Sequence, residues 1–291
     1  MGSSAIFNHL HTLLELVRSM DMREMGNGSQ QDSSDPFGAF DIDEADLEPL
    51  YHQDRLCCPQ CRRNHKVFCP RCGIPLGHTP PHVQLPISVD IYRDPRETEG
   101  KSTSAHARII APDSVTIKVE NMVKAPDTSS ITKYTDPQRC LLLFPSEDAL
   151  PLADIEPGSF DKLIVLDGTW KQGKAMAGAI AGQSFQRVSI RSRRTLFWRY
   201  QPFGETYLST IEAVYWFFRD FHDAYSRDPY DGRYDNLLFY FKLQWGLIQD
   251  IYSRNPQKQF TSRKLDGESY IRGRARLQNS ASPPDTEEAQ T

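Results

Sequence analysis

The 291-residue sequence contains no apolar run of about 18 residues, the length that a membrane-crossing helix needs. Its start, MGSSAIFNHLHTLLELVRS, lacks a basic opening and a small-residue cleavage site. It does not read as a secretory signal. No internal repeat is visible. A complete Walker motif is missing too. In EGKSTSAHA, Gly100-Lys101-Ser102-Thr103 resembles the end of a P-loop, but Pro95 stands where the first glycine belongs. Ser102 or Thr103 then reads as a helix cap, with Lys101 available to an anionic ligand. Nor is there a strong charge of one sign, the formal net charge being −4. That figure hides segregation: 32–48 is acidic, while 187–199 and 263–276 are basic. Local basic patches suffice for nucleic acid.

What is present divides the chain into five parts. Residues 1–22 place Ile6, Leu10, Leu13, Leu14 and Val17 at helical spacing, predicting an amphipathic helix. Residues 23–50 are polar, acidic and turn-rich, and read as a flexible linker. Cysteines gather in 51–80. Over 81–255 strand-like runs (85–92, 114–120, 140–144, 162–167, 187–190) alternate with helix-like runs (102–110, 171–180, 210–225, 236–252). The alternation predicts an α/β sheet. The loop 126–137 is proline-bounded, and 256–291 is basic, then poor in apolar residues.

CCPQCRRNHKVFCPRCG holds two CPxC turns, Cys58 with Cys61 and Cys69 with Cys72. Each turn presents two thiolates from a tight knuckle, and four such ligands suit a closed tetrahedral zinc site with no position open for catalysis. Disulfides and free thiols are the alternatives; disulfides need a secretory context that the sequence does not show. Cys57 is a spare and Cys140 reads as buried packing. Arg62, Arg63, His65, Lys66 and Arg71 either solvate the knuckle or face phosphate.

Three loops repeat one pattern. VLDGTWKQGKAM ends an apolar run in Asp167, then gives Gly168, Thr169 and Trp170 before a helix. This is either a capped turn over a packed indole or a ligand site at a strand's carboxyl end. LLLFPSEDA does the same through Pro145 and Ser146. In YLSTIEAVYWFF, Ser209 and Glu212 fit a capping box, and the same helix start offers N–H groups to a carboxylate. In RVSIRSRRTLFWRYQPFG, Arg187, Arg191, Arg193, Arg194 and Arg199 interleave with Phe197, Trp198 and Tyr200, with no lysine or glutamate. That composition favours RNA contact through phosphate clamps and base stacking over a solvated face.

Taken together, Asp167-Gly168-Thr169-Trp170, the paired CPxC turns, FPSEDA and STIEA resemble, in order, the DTW-domain family, named for its Asp-x-Thr-Trp motif. The resemblance runs from about Cys58 to Tyr252. It implies a SPOUT-like knotted α/β sheet with a small N-terminal zinc knuckle of four cysteines, Cys58, Cys61, Cys69 and Cys72. It also implies a reaction: S-adenosylmethionine donates its 3-amino-3-carboxypropyl group to N3 of a uridine in the tRNA D-loop, and methylthioadenosine leaves. Residence in the nucleus, with the cytoplasm as a second compartment, is implied likewise, and the basic tail agrees.

On that resemblance Pro145, Ser146, Ser209, Thr210 and Glu212 are expected to bind the donor, with Ser209 and Thr210 on its carboxylate and Glu212 on its amine. Asp167 is the candidate general base, or orients the uridine, or binds the donor. Thr169 would hold a uracil carbonyl. Trp170 would stack on a base or sit against the sulfonium, with packing as the alternative. Arg62, Arg63, Lys66, Arg191, Arg193, Arg194, Trp198 and Arg199 are the expected RNA contacts. Two other functions fit the same residues: RNA methylation with the same donor, and a non-catalytic zinc-containing RNA-binding module. No metal is required for the chemistry, and no membrane partner is expected.

Overall fold

The computed structural model describes residues 35–121, 133–199 and 204–254, with the side chain of Tyr252 left aside. The expected helix 1–22, linker residues 23–34, most of the loop 126–137, Tyr200 and the tail 256–291 lie outside the described residues. The elements below belong to one compact unit within Pro36–Thr291.

Six strands form one sheet: β5 (Ser88–Arg93), β6 (Val115–Val119), β7 (Cys140–Leu143), β8 (Leu150–Pro151), β9 (Lys162–Asp167) and β10 (Gln186–Ser189). Their order across the sheet is β6-β5-β9-β7-β10-β8, and every pairing is parallel. Central parallel strands are covered on both faces and so read as near-continuous apolar runs. KLIVLD and CLLL do this. Alternate residues part to the two faces. Val89, Ile91, Leu141, Leu163 and Val165 join the larger core. Tyr92, Cys140, Leu142 and Ile164 join the smaller one.

Helices α2 (Ser104–Ile110), α4 (Thr210–Tyr225) and α5 (Phe239–Arg254) supply the larger core, and α3 (Trp170–Ile180) covers the other face through Met176 and Ile180. The aromatic run in α4 divides as helical spacing requires: Tyr215, Phe217 and Phe218 are buried, and Trp216 is half-buried. Among the described residues no helix is long and apolar enough to cross a membrane.

Residues 36–50 correct the reading of 23–50 as a flexible linker. They include the start of α1 (Glu44–His52), and Phe37, Ile42, Leu47 and Leu50 are buried in the larger core. Composition missed this because the apolar residues are few and spaced by acids that face solvent. The rings of Phe241 and Trp245 meet Phe37 edge-on at 6.1 and 5.6 Å. Gly246 of α5 lets Tyr51 approach, since a Cβ there would lie 2.5 Å from its hydroxyl.

The cysteine region is two hairpins, β1 (Leu56–Cys57) with β2 (Asn64–His65) and β3 (Phe68–Cys69) with β4 (Ile74–Pro75), each turning through a CPxC. Arg62 N–H donates to Cys58 O at 2.9 Å, and Gly73 N–H to Cys69 O at 2.8 Å. The two residues share a left-handed backbone, φ 61° and 63°. The hairpins dock on the core through Val67 and Phe68. Gln53 Nε2 donates to Leu76 O at 3.0 Å and Lys66 Nζ to Tyr51 O at 2.8 Å.

Candidate active site

Because all the strands run one way, the loops after β5, β9 and β7 emerge at one end of the sheet, where ligands bind in open parallel sheets. Register pairs Arg93 with Asp167. The backbone then locks the two neighbouring loops together, for Asp94 N–H donates to Asp167 O at 3.0 Å. A cavity of about 580 Å³ opens here, between the segments 96–103, 167–172, 197–199 and 208–210. Its size suits a small-molecule ligand.

Asp167 ends β9 and is 3% exposed. Each of its oxygens accepts one hydroxyl: Oδ1 from Thr210 at 2.6 Å and Oδ2 from Ser102 at 2.5 Å. One carboxylate thus joins three segments far apart in sequence. Gly168 packs tightly, since a Cβ would lie 3.0 Å from Gln172 Oε1. Thr169 caps α3 in a capping box: Gln172 N–H reaches its hydroxyl at 3.4 Å, and Gln172 Oε1 accepts Thr169 N–H at 2.6 Å. Trp170 opens the helix half-buried, edge-on to Tyr207 at 4.6 Å and tilted against Phe144 at 5.9 Å. Packing and cavity lining are therefore not alternatives for Trp170; it does both.

Ser209 and Thr210 line the cavity at the start of α4. Glu212 does not, which corrects its assignment to a ligand amine. It is 3% exposed. It accepts Ser209 N–H at 2.8 Å, Ser209 Oγ at 2.7 Å, Thr195 Oγ1 at 2.7 Å and Leu196 N–H at 2.6 Å. Burial raises its pKa above the usual 4.5, and these donors oppose the shift. Pro145 and Ser146 lie on the loop after β7, beside β9, but are not among the residues that line the cavity.

The arginine-rich segment separates into structural and exposed members. Arg193 lies over the Trp216 ring at 4.2 Å and donates to Asp220 at 3.2 Å. Arg191 grips Asp220 at 2.8 Å and also pairs with Asp223. Two carboxylates on α4 thus hold this stretch; Arg193 is withdrawn from solvent by them, which corrects its expected role as a phosphate clamp, while Arg191 keeps 61% of its side chain exposed. Trp198 is 7% exposed and packs on Phe241 at 5.3 Å, so it is a core residue and not a stacking platform. Arg194 pairs with Glu205 in solvent at 2.6 Å. Arg199 reaches the cavity, its guanidinium donating to Gly100 O at 3.4 Å. Arg62 and Arg63 are exposed on the knuckle, and Lys66 is tethered as described.

Sequence reading missed Arg96, Glu97, Phe197, Lys171, Gln172 and Leu208 as cavity residues. The incomplete P-loop belongs here after all: Lys101, Ser102 and Thr103 line the cavity, and Thr103 Oγ1 accepts Ile211 N–H at 3.1 Å. The signal that finds them is strand adjacency, because β5 and β9 are neighbours in the sheet but not in the chain.

The four knuckle thiols lie within 4.8 Å of one another. Burial and the three neighbouring sulfurs push the Cys72 thiol up to about 12, while the Cys61 and Gln60 N–H groups hold Cys58 down at about 7. Gathering groups that would share one charge has this consequence, and a divalent cation reverses it. The donor set fits a tetrahedral metal.

Residues 55–248 match the family model for the DTW domain. The chain belongs to the DTW-domain family. Asp167, Thr169 and Trp170 of its DTW motif therefore all line the cavity. Among curated relatives, tRNA-uridine aminocarboxypropyltransferase 1 of Mus musculus is 32% identical over 244 residues, covering 70% of this chain and 80% of the relative. That of Xenopus laevis is 32% identical over 248 residues, covering 70% and 84%. The Homo sapiens relative of the same name is 29% identical over 244 residues, covering 70% and 80%. No solved structure matches the chain.

Proposed function

We propose that this DTW-domain chain is a tRNA-uridine aminocarboxypropyltransferase, moving the 3-amino-3-carboxypropyl group of S-adenosylmethionine to N3 of a uridine in the tRNA D-loop. One observation carries the reading: Asp167, Thr169 and Trp170 share a single cavity with Ser209 and Thr210, in a chain of this family. S-adenosylmethionine supplies three carbons activated by one sulfonium.

The protein's task is to select among those carbons, and holding the reacting geometry can contribute about 7–11 kcal/mol. The start of α4 offers N–H and hydroxyl groups to the donor's carboxylate, and Lys101 adds an ammonium. Trp170 offers a ring to a base or to the sulfonium. Asp167, through Ser102 and Thr210, keeps these elements in register. Thr169 faces the cavity and can hold a uracil carbonyl. Arg96, Lys171 and Arg199 at the cavity and Arg62 and Arg63 on the knuckle form the tRNA-facing surface.

Cys58, Cys61, Cys69 and Cys72 would hold a structural zinc. A SPOUT-like knot is part of this reading; the wholly parallel sheet and the clustering of ligand loops at one end support it. Nuclear residence, with the cytoplasm as a second compartment, is proposed on the basic segment 263–276.

Radiolabel incorporation into tRNA tests the function. Donor labelled in the carboxypropyl chain should mark the tRNA, and donor labelled in the methyl should not. The reverse pattern would establish methylation, and no label from either donor would leave an RNA-binding module.

A further inference from the structure

Among the described residues two carboxylates line the cavity, Asp167 and Glu97. They are differently committed. Both Asp167 oxygens already accept hydroxyl protons, at 2.6 and 2.5 Å, and the side chain is buried between β9 and the start of α4. Glu97 is half-buried on the loop after β5, between the exposed Arg96 and Thr98. Its carboxylate accepts the Thr98 backbone N–H, and among the described residues no side chain donates to it.

Glu97 is nevertheless held in place. Asp94 N–H is fixed to Asp167 O at 3.0 Å, and Glu97 N–H closes a turn on Asp94 O at 2.9 Å. The Arg96 side chain clamps Asp94 at 2.9 and 2.6 Å, and Lys101 N–H closes the next turn on Thr98 O at 2.7 Å. The result is a loop of fixed backbone that sets Glu97, less buried than Asp167, in the cavity lining. Arg96, Lys101 and Arg199 share that lining and suit the phosphates of a nucleotide. A small donor can lie against Thr210 and the buried Asp167.

The chemistry needs such a group. A neutral uracil N3 has its lone pair in the ring, so its proton must leave as the new bond forms. We infer that Glu97 is the general base of this reaction, removing the N3 proton of the acceptor uracil; the inference rests on the transferase reading above. The N3–H electrons become the N3–C bond, the C–S bond breaks toward sulfur, and methylthioadenosine leaves as a neutral thioether. The proton stays on Glu97 and then passes to solvent, so charge and atoms balance. Burial first, and then the charge of Asp167, raise the proton affinity of Glu97, with Lys101, Arg199 and the Thr98 N–H opposing. That is the direction a base working near neutral pH requires.

The test is single-turnover transfer by the full chain, comparing wild type with Glu97→Gln on tRNA bearing uridine or 5-fluorouridine at the acceptor position. Glu97→Gln should slow transfer about 10²–10⁴-fold, leave donor affinity unchanged, and remove the fall in rate on the acid side of the pH profile. The more acidic N3–H of 5-fluorouridine should restore the variant far more than it speeds wild type. Three outcomes overturn the inference: wild-type speed in the variant, a loss explained by weaker donor binding, or equal effects of 5-fluorouridine on both proteins. If wild type itself transfers nothing, the transferase reading fails instead.

Discussion

Two helices begin at the cavity with the same device. Thr169 and Gln172 cap α3, and Ser209 and Glu212 cap α4, each as a capping box. In sequence they are alike; in the fold they are not. The α3 box is exposed, and among the described residues its two side chains bond only to each other's backbone. The α4 box is buried, and Glu212 also gathers Thr195 and Leu196 from the segment before the helix. The first is a local cap that leaves Thr169 facing the cavity. The second is a staple that fixes the cavity's wall, and its carboxylate has no capacity left for a ligand. A short motif identifies a helix start; burial decides whether its side chains serve the helix, the fold or a substrate.

The contrast can be broken most forcefully at Glu212. Glu212→Ala leaves buried donors on Thr195, Leu196 and Ser209 without their acceptor, and should cost about 3–5 kcal/mol by chemical denaturation. Glu212→Gln should cost less and also flatten a pH slope. The folded-state pKa of Glu212 is raised above 4.5, so the native state binds its proton more tightly than the unfolded chain. Stability from this group is present at low pH and declines as pH rises from about 4.5 through the raised value. A glutamine variant whose slope matches wild type would remove Glu212 as the source.

Next in size is the knuckle. If the four thiols hold zinc as proposed, Cys61→Ser with Cys72→Ser should abolish zinc binding, measured by elemental analysis against wild type, and lower the melting temperature, because Val67 and Phe68 join this region to the core. Full zinc retention would contradict the site. The arginines sharpen the comparison further. Arg193→Ala should lower stability and leave the salt dependence of tRNA binding unchanged. Arg62→Ala should do the opposite, reducing the slope of log affinity against log salt by about 1. The smallest expected effect is Thr169→Ala, a cap loss of about 1 kcal/mol in stability, with a larger fall in transfer rate because Thr169 also lines the cavity.

The sheet was legible because LIVL and CLLL are apolar runs too short for a helix and bounded by turn residues, as strands covered on both sides are. The helices were legible from apolar spacing and from Ser209 and Glu212. What the sequence could not reveal is lateral order. Nothing in the chain places β5 beside β9, so Glu97, Lys101 and Ser102 did not register as neighbours of Asp167. The same blindness made Arg191 and Arg193 look unpaired. Their partners, Asp220 and Asp223, lie on α4 about thirty residues away, and composition counts charges without pairing them. Phe37 and Leu47 were hidden among acids for a related reason: a few buried side chains anchor a segment that is polar on average.

The central claim is that the cavity holding Asp167 is where a uridine nitrogen meets the donor's amino-acid arm. Mass spectrometry of nucleosides from tRNA incubated with the protein and chain-deuterated donor measures this directly. The expected product is a uridine heavier by the intact deuterated chain, with fragmentation placing the chain on the base, and it should disappear with a folded Asp167→Asn variant. A product carrying only the donor's methyl, or one formed equally well by Asp167→Asn, would contradict it.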